Sequence, residues 1–211
     1  VMRWWVFPLV AVLGWFAFTL TPLWTLYDFA RAVRAHDVAF VQQHANFRTL
    51  RLSLVRQTTA ALRSASDNDP TLDAKDRQRL NEAAVGVALA LAESMVTPET
   101  VLDLLDDGWP QSLDIPRPDG VKPSGLRLDR IGRVFPFWIA SEMRGFRTAV
   151  IAIPPDAPRA QQLRVRLRLR GWTWRLVDIE VAEALRDQMA QRLGRTLARA
   201  RAGERAPAAQ P

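Results

Sequence analysis

From Trp4 to Tyr27 the chain runs for 24 residues without a charged side chain, with Arg3 before the run and Asp28 after it. No other feature limits the fold so strongly. A helix that crosses a bilayer needs about 17–25 apolar residues. Trp4 and Trp5 lie at one end of the run, Trp15 inside it, and Trp24 and Tyr27 at the other end. Amphipathic rings favour the boundary between lipid and water. These five residues are therefore read as membrane-anchor residues. Thr21-Pro22 reads as an N-cap followed by proline at the first helical position. That predicts a new helix at Pro22 and confines the anchor to residues 1–20.

Two other readings of the run are weaker. A cleaved secretory signal needs small residues at the cut, and Ala17-Phe18-Thr19 supplies bulky ones. A buried helix of a soluble domain would have to cover Trp4, Trp5, Phe7, Trp15, Phe16, Phe18 and Trp24 on every side. An uncleaved anchor fits best. Its short leading segment favours an inside N-terminus and a main domain outside the cytoplasmic membrane, although Arg31, Arg34 and Arg48 on the far side oppose this.

Composition narrows the chemistry. The chain has 211 residues, 48% of them hydrophobic and 24% charged, which excludes wholesale disorder and a polytopic membrane protein. It has no cysteine, so disulfides, thiolate catalysis and cysteine metal sites are excluded. The net charge is +7, and every basic residue except Lys75 and Lys122 is arginine. The arginines are spread from Arg3 to Arg205 rather than gathered on one element, so no nucleic-acid partner is expected.

Beyond the anchor, the apolar spacing changes once. Helices are expected over Pro22 to about Ala35, Val38–Ala45 behind an Asp37 cap, Phe47 to about Ser64 behind an Asn46 cap, and about Ala74–Val96. The last of these, with its apolar run Ala83–Ala92, is read as the buried central helix. Thr97-Pro98 opens a short helix that Gly108 stops. Trp109–Gly125 carries four prolines and is irregular. Then the period becomes two. Strands are expected over Leu126–Ile131, Phe135–Met143, Phe146–Ile153, Leu163–Arg170 and Trp172–Val181. The cleanest is the fourth, where Leu163, Val165, Leu167 and Leu169 alternate with Arg164, Arg166, Arg168 and Arg170. A basic amphipathic helix (182–203) and a disordered tail (204–211) follow. The fold class is α+β: a transmembrane helix, a helical half over 22–108, and a mostly antiparallel sheet of four or five curved strands over 126–181.

Several segments resemble a known bacterial family. Thr21-Pro22-Leu23-Trp24-Thr25-Leu26-Tyr27 is similar to its membrane-proximal "sPyw-x-ly" motif. Ala32-Val33-Arg34-Ala35-His36-Asp37 and Asn46-Phe47-Arg48-Thr49-Leu50-Arg51 resemble its "Ai-x-x-x-D" and "vDfpalR" patterns, with Asn46 where the family usually has Asp. Gly171 to Ile179 resembles its closing strand. The family is number 2939 among the domains of unknown function, and the resemblance spans about residues 21–181. It implies a bacterial envelope protein with an N-terminal anchor and no established activity. The layout also resembles, by topology alone, the nuclear-transport-factor-two-like cone, a fold that often forms a pocket.

Candidate sites are few. His36 and Asp37 are adjacent, with Asp28 upstream, but a polar turn capped by Asp37 accounts for them. His44 near a helix end suits the helix dipole. Asp103, Asp106 and Asp107 cluster, and a solvated patch paired with arginines explains them better than a cation site. Trp109, Trp138, Trp172 and Trp174 read as core rather than as a ligand pocket. The row Arg164, Arg166, Arg168 and Arg170 is the candidate anion-binding face; its alternative is neutralisation by Asp129, Glu142 and Asp178. The last helix carries Val181, Leu185, Met189, Leu193 and Leu197 at four-residue steps, with Arg186, Arg192, Arg195, Arg199 and Arg201 elsewhere. That stripe suits a membrane, a partner or its own domain equally. No catalytic motif, cofactor site or metal site is found. The expected protein is a single-pass, membrane-anchored binding or accessory module of the bacterial inner membrane, its main domain periplasmic. Its expected partners are the bilayer and either anionic lipid or a membrane protein. A structural subunit of a membrane complex, or an enzyme with a cone-type pocket, are the alternatives.

Overall fold

The structure is a computed structural model that describes residues 4, 6–68, 73–113, 115–121, 123, 125–126 and 135–205, with side chains described to 199. Seven α-helices and four strands are present among them. The longest element is α1, Val6–Ala35. It does not break at Thr21-Pro22, as the sequence suggests; Pro22 lies inside it. A proline in a helix leaves the carbonyl four residues back without its N–H partner. Here the Thr21 hydroxyl donates to the Phe18 carbonyl at 2.7 Å, which supplies that missing bond. Trp174 Nε1 in turn donates to Thr21 Oγ1 at 2.9 Å, tying this point of α1 to the sheet. The apolar N-terminal segment and the domain therefore share one continuous helix.

The next helices follow their caps. Asp37 accepts from Phe40 N at the start of α2 (Val38–His44), and Asn46 accepts from Thr49 N at the start of α3 (Phe47–Asp67). Asp73 caps α4 (Ala74–Met95), and Thr97 with Pro98 opens α5 (Pro98–Asp107), which ends at Gly108. α4 is less central than its apolar run implies. It buries Ala84, Ala88, Ala92 and Met95 and leaves Val85 and Leu89 exposed. A stripe of alanines on one side lets α3 and α7 approach closely, while the opposite side faces out.

The segment Phe135–Met143 is not one strand. Phe135–Ile139 forms a short helix, α6, and only Glu142–Met143 pairs, as β1. Pro136 sits in the first turn, where its missing N–H costs nothing, and its carbonyl accepts from Ala140 N at 3.0 Å. So short an apolar run does not distinguish helix from strand. The expected strand Leu126–Ile131 lies outside the described residues beyond Leu126, and so does the tail after 205. Leu126 N donates to the Leu105 carbonyl, the last turn of α5.

The sheet is antiparallel with strand order β1-β2-β3-β4, adding β2 (Thr148–Ile153), β3 (Leu163–Arg170) and β4 (Thr173–Glu180). Pro154 after β2 follows a cis peptide bond. The turns before β2 and β4 place Gly145 at φ 81° and Gly171 at φ 60°, a conformation glycine adopts without steric cost. One face of the sheet (Ala149, Ile151, Ile153, Leu163, Val165, Leu167, Leu176) packs on the second half of α1, on α2 and α5 and on the start of α7 (Glu183–Arg205). A second cluster joins α3, α4 and α7 through Val55, Leu62, Ala88, Leu193 and Leu197. The apolar stripe of α7 thus packs on its own domain: Leu185, Met189, Leu193 and Leu197 are all buried.

Candidate functional site

α1 changes character along its length. Every residue from 6 to 17 is exposed, on all sides of the helix. From Pro22 on it buries Leu23, Leu26, Phe29, Ala30 and Val33 in the core. The first half is long and apolar enough, with the rest of the helix, to cross a membrane. Trp4 is 85% exposed and Trp15 is 52% exposed, as rings in contact with lipid would be in water. Trp5 lies outside the described residues. Trp24 is exposed and stacks at an angle on Tyr27, 6.4 Å between ring centres, beside the domain.

The domain meets α1 at the end of its exposed stretch. Phe146 packs edge-on against Trp15 at 5.3 Å, and Trp138 against Phe16 at 5.5 Å. Phe18 lies 6.3 Å from Trp174. Of the four tryptophans expected in the core, Trp109 and Trp174 are buried and Trp138 is half-buried, but Trp172 is 100% exposed. It occupies the β3–β4 turn, two residues before Trp174, and no element among the described residues lies over it. Trp109 Nε1 donates to the Ile115 carbonyl at 2.8 Å, which satisfies its polar atom.

The arginine row is divided by the register of β3. Arg164 is buried and lies between Glu142, at 2.8 Å, and Glu180, at 3.6 Å. Arg166 pairs with Asp178 at 3.0 Å. Asp178 also accepts from Ser53 Oγ of α3, and Gln57 bonds the backbone of Ile179 and Val181. These carboxylates neutralise the half of the row nearer α7. Asp129, the third carboxylate expected there, lies outside the described residues. Arg168 instead stands opposite Arg175 on β4, and both are exposed. Like charges directly across a strand pair repel. Neither of them, nor Arg170 or Arg147, has an ion-pair partner among the described residues. An anion would meet the row at this end.

The remaining candidates resolve into local structure. His36 is exposed at the α1–α2 turn with φ 51°, beside its Asp37 cap. His44 Nδ1 is 2.9 Å from the Phe40 carbonyl, and its ring stacks on Phe40. Asp103 accepts from Ser112 N, and Asp107 pairs with Arg117 at 2.6 Å. No group of three or more His, Asp or Glu able to hold a metal occurs among the described residues. An open groove of about 710 Å³ lies between α3, the end of β4 and α7, but its arginines (Arg56, Arg166, Arg186) alternate with Asp178, Glu180, Glu183 and Asp187. On α7, by contrast, Arg192, Arg195 and Arg199 line a groove with Leu91, Ile115 and Pro116 that contains no acidic residue among the described ones.

Residues 9–104 match the model of a family described as a protein of unknown function, DUF2939. Over those residues, fewer than half of the chain, the protein is similar to that family. The DUF2939 match takes in most of the exposed half of α1 and the helical half through most of α5, and stops before the sheet. Thr21–Tyr27, Ala32–Asp37 and Asn46–Arg51 fall within it; Gly171–Ile179 does not. No curated protein and no solved structure matches the chain, so the likeness to the nuclear-transport-factor-two-like cone gains no support.

Sequence reasoning missed Phe146, Phe135, Ile139 and Arg175. A signal for the first was present. Arg144-Gly145-Phe146 and Arg170-Gly171-Trp172 share an Arg-Gly-aromatic pattern, with the glycine fixing a turn and an aromatic residue at the tip.

Proposed function

We propose that this is a single-pass protein of the bacterial inner membrane, with its α+β domain on the periplasmic side acting as a binding or accessory module. The observation that carries the reading is the change along α1: twelve consecutive residues (6–17) are exposed on every side, and then the same helix enters the core. Twelve exposed residues of this composition are stable against lipid and unstable against water. For the side of the membrane, Arg3 before the apolar run favours an inside N-terminus, and Arg31, Arg34 and Arg48 beyond it oppose this, so the fusion experiment decides it. A non-enzymatic role is supported by the chemistry available. Both histidines serve turns or helix ends, and the groove beside Asp178 mixes arginines with carboxylates, Arg166 being paired with Asp178.

The test is fractionation of the full chain followed by reporter fusion. The expected result is retention in the membrane pellet after alkaline carbonate washing, and activity of a C-terminal alkaline phosphatase fusion, which folds only outside the cytoplasm. Recovery of the full chain in the supernatant refutes the anchor. An inactive phosphatase with a fluorescent green-fluorescent-protein fusion refutes the orientation. The groove on α7, with no acidic residue among the described ones, favours a second reading, a subunit of a larger membrane complex that offers Arg192, Arg195 and Arg199 to an acidic partner.

A further inference from the structure

We infer that the end of the sheet bearing Phe146 and Trp172 is a second membrane contact, seated in the headgroup layer of the leaflet from which the domain emerges. The inference rests on the anchoring proposed above and adds a surface to it.

The depth follows from helix geometry. A hydrocarbon core of about 30 Å takes about 20 residues at 1.5 Å each. Counted from Arg3, that length reaches about Leu23. The domain already touches α1 at Trp15 and Phe16, roughly two turns earlier. Tilting α1 shortens its projected rise and brings these contacts deeper. Phe146 and the Arg147 carbonyl, which accepts from Leu169 N at 2.9 Å, lie at the same end of the sheet as Trp172. On this count the elements at the end of the sheet that meets α1 lie at or below the bilayer boundary.

Their chemistry suits that layer. Phe146 is 68%, Phe135 61%, Ile139 67% and Trp172 100% exposed, although the rest of the sheet buries its apolar residues. Aromatic side chains concentrate at the interface of lipid and water. Around them stand Arg147, Arg168, Arg170 and Arg175, exposed and without a carboxylate among the described residues. Arg144 is the exception, pairing with Glu142 at 3.2 Å. Phosphate groups of anionic lipid would relieve the repulsion between Arg168 and Arg175. Both turns carry the Arg-Gly-aromatic pattern, so each tip pairs an apolar residue with an adjacent guanidinium. The surface is continuous with the lipid-facing side of α1, so its occupant is the same bilayer.

The chain has no cysteine, which allows single labelled positions in the full-length protein. Trp172→Cys and, as an aqueous reference on the outer side of α7, Arg195→Cys are labelled with an environment-sensitive fluorophore. Each is reconstituted in vesicles of phosphatidylcholine with phosphatidylglycerol. Sedimentation with the vesicles reads the anchor; quenching reads the seat. The expected result is several-fold protection of the label at 172 from iodide relative to 195, with quenching by lipids spin-labelled near the headgroup. Equal iodide access at both positions, in protein that sediments, overturns the seat while leaving the anchor. Protein that fails to sediment overturns the anchor and the seat with it. Combining Arg168→Glu, Arg170→Glu and Arg175→Glu should abolish most of the protection at 172 without changing the circular dichroism spectrum. Unchanged protection overturns the role given to these arginines.

Discussion

Phe29→Ala and Phe7→Ala make the same chemical change on one helix, and only the first should destabilise the domain. Phe29 is 1% exposed and meets Phe40 edge-on at 5.3 Å; Phe7 is 79% exposed. Burying a phenyl ring removes about 200 Å² from water, worth about 5 kcal/mol at 25 cal/mol per Å². Alanine keeps a small part of that, and the cavity left behind adds a cost, so about 3–5 kcal/mol is lost. For a domain of this size, each kcal/mol lowers Tm by about 2–4 °C. Phe29→Ala should therefore lower Tm by about 6–20 °C, whereas Phe7→Ala should leave it unchanged. The assay is thermal unfolding of the full chain in mild detergent, followed by near-ultraviolet circular dichroism, which reports the aromatic core. A loss below about 1 kcal/mol for Phe29→Ala would show that the second half of α1 is not part of the core. Equal losses for both would show that the first half packs on protein rather than on lipid.

Thr21→Val removes both the hydroxyl that caps the Phe18 carbonyl and the acceptor of Trp174 Nε1. It should cost about 1–3 kcal/mol in the same assay. Trp174→Phe should cost less in its presence than in the wild-type chain, since the two side chains share one bond. Asp178→Ala leaves Arg166 and Ser53 without their shared partner. Because Arg166 is partly solvated, the expected loss in urea unfolding is about 1–3 kcal/mol rather than that of a fully buried pair. A neutral result in either case would mean that the bond contributes nothing to the fold.

Most helices were legible because their ends are local. Asp37, Asn46, Asp73 and Thr97 each accept a backbone N–H within three residues, and Gly108 ends α5 at φ 72°. Leu163–Arg170 was legible because alternation is a property of the strand itself. Pro22 was misread because what keeps α1 intact there includes Trp174, 153 residues away. Phe135–Ile139 was misread because five apolar residues fit helix and strand alike. The arginine row was visible as a face, yet its division was not. Arg164 falls beside Glu180, Arg166 beside Asp178 and Arg168 beside Arg175, and that pairing follows from a register with a shift between Arg166 and Leu167.

The unbroken α1 bears on how the domain can act. A flexible linker between anchor and domain would let the sheet sample many distances from the bilayer. Here the exposed apolar stretch of α1 passes into the core without a loop, and Phe18, Thr21 and Trp174 fix its rotation against the sheet. With α1 in a bilayer as proposed, the hairpin tips would be held at one depth and one orientation relative to the membrane. A partner on the Arg192, Arg195 and Arg199 face of α7 would then bind at a fixed height above the lipid. A glycine-rich insertion after Leu20 would remove that constraint while preserving both the anchor and the core. It thus separates a role that needs only tethering from one that needs the domain held in place.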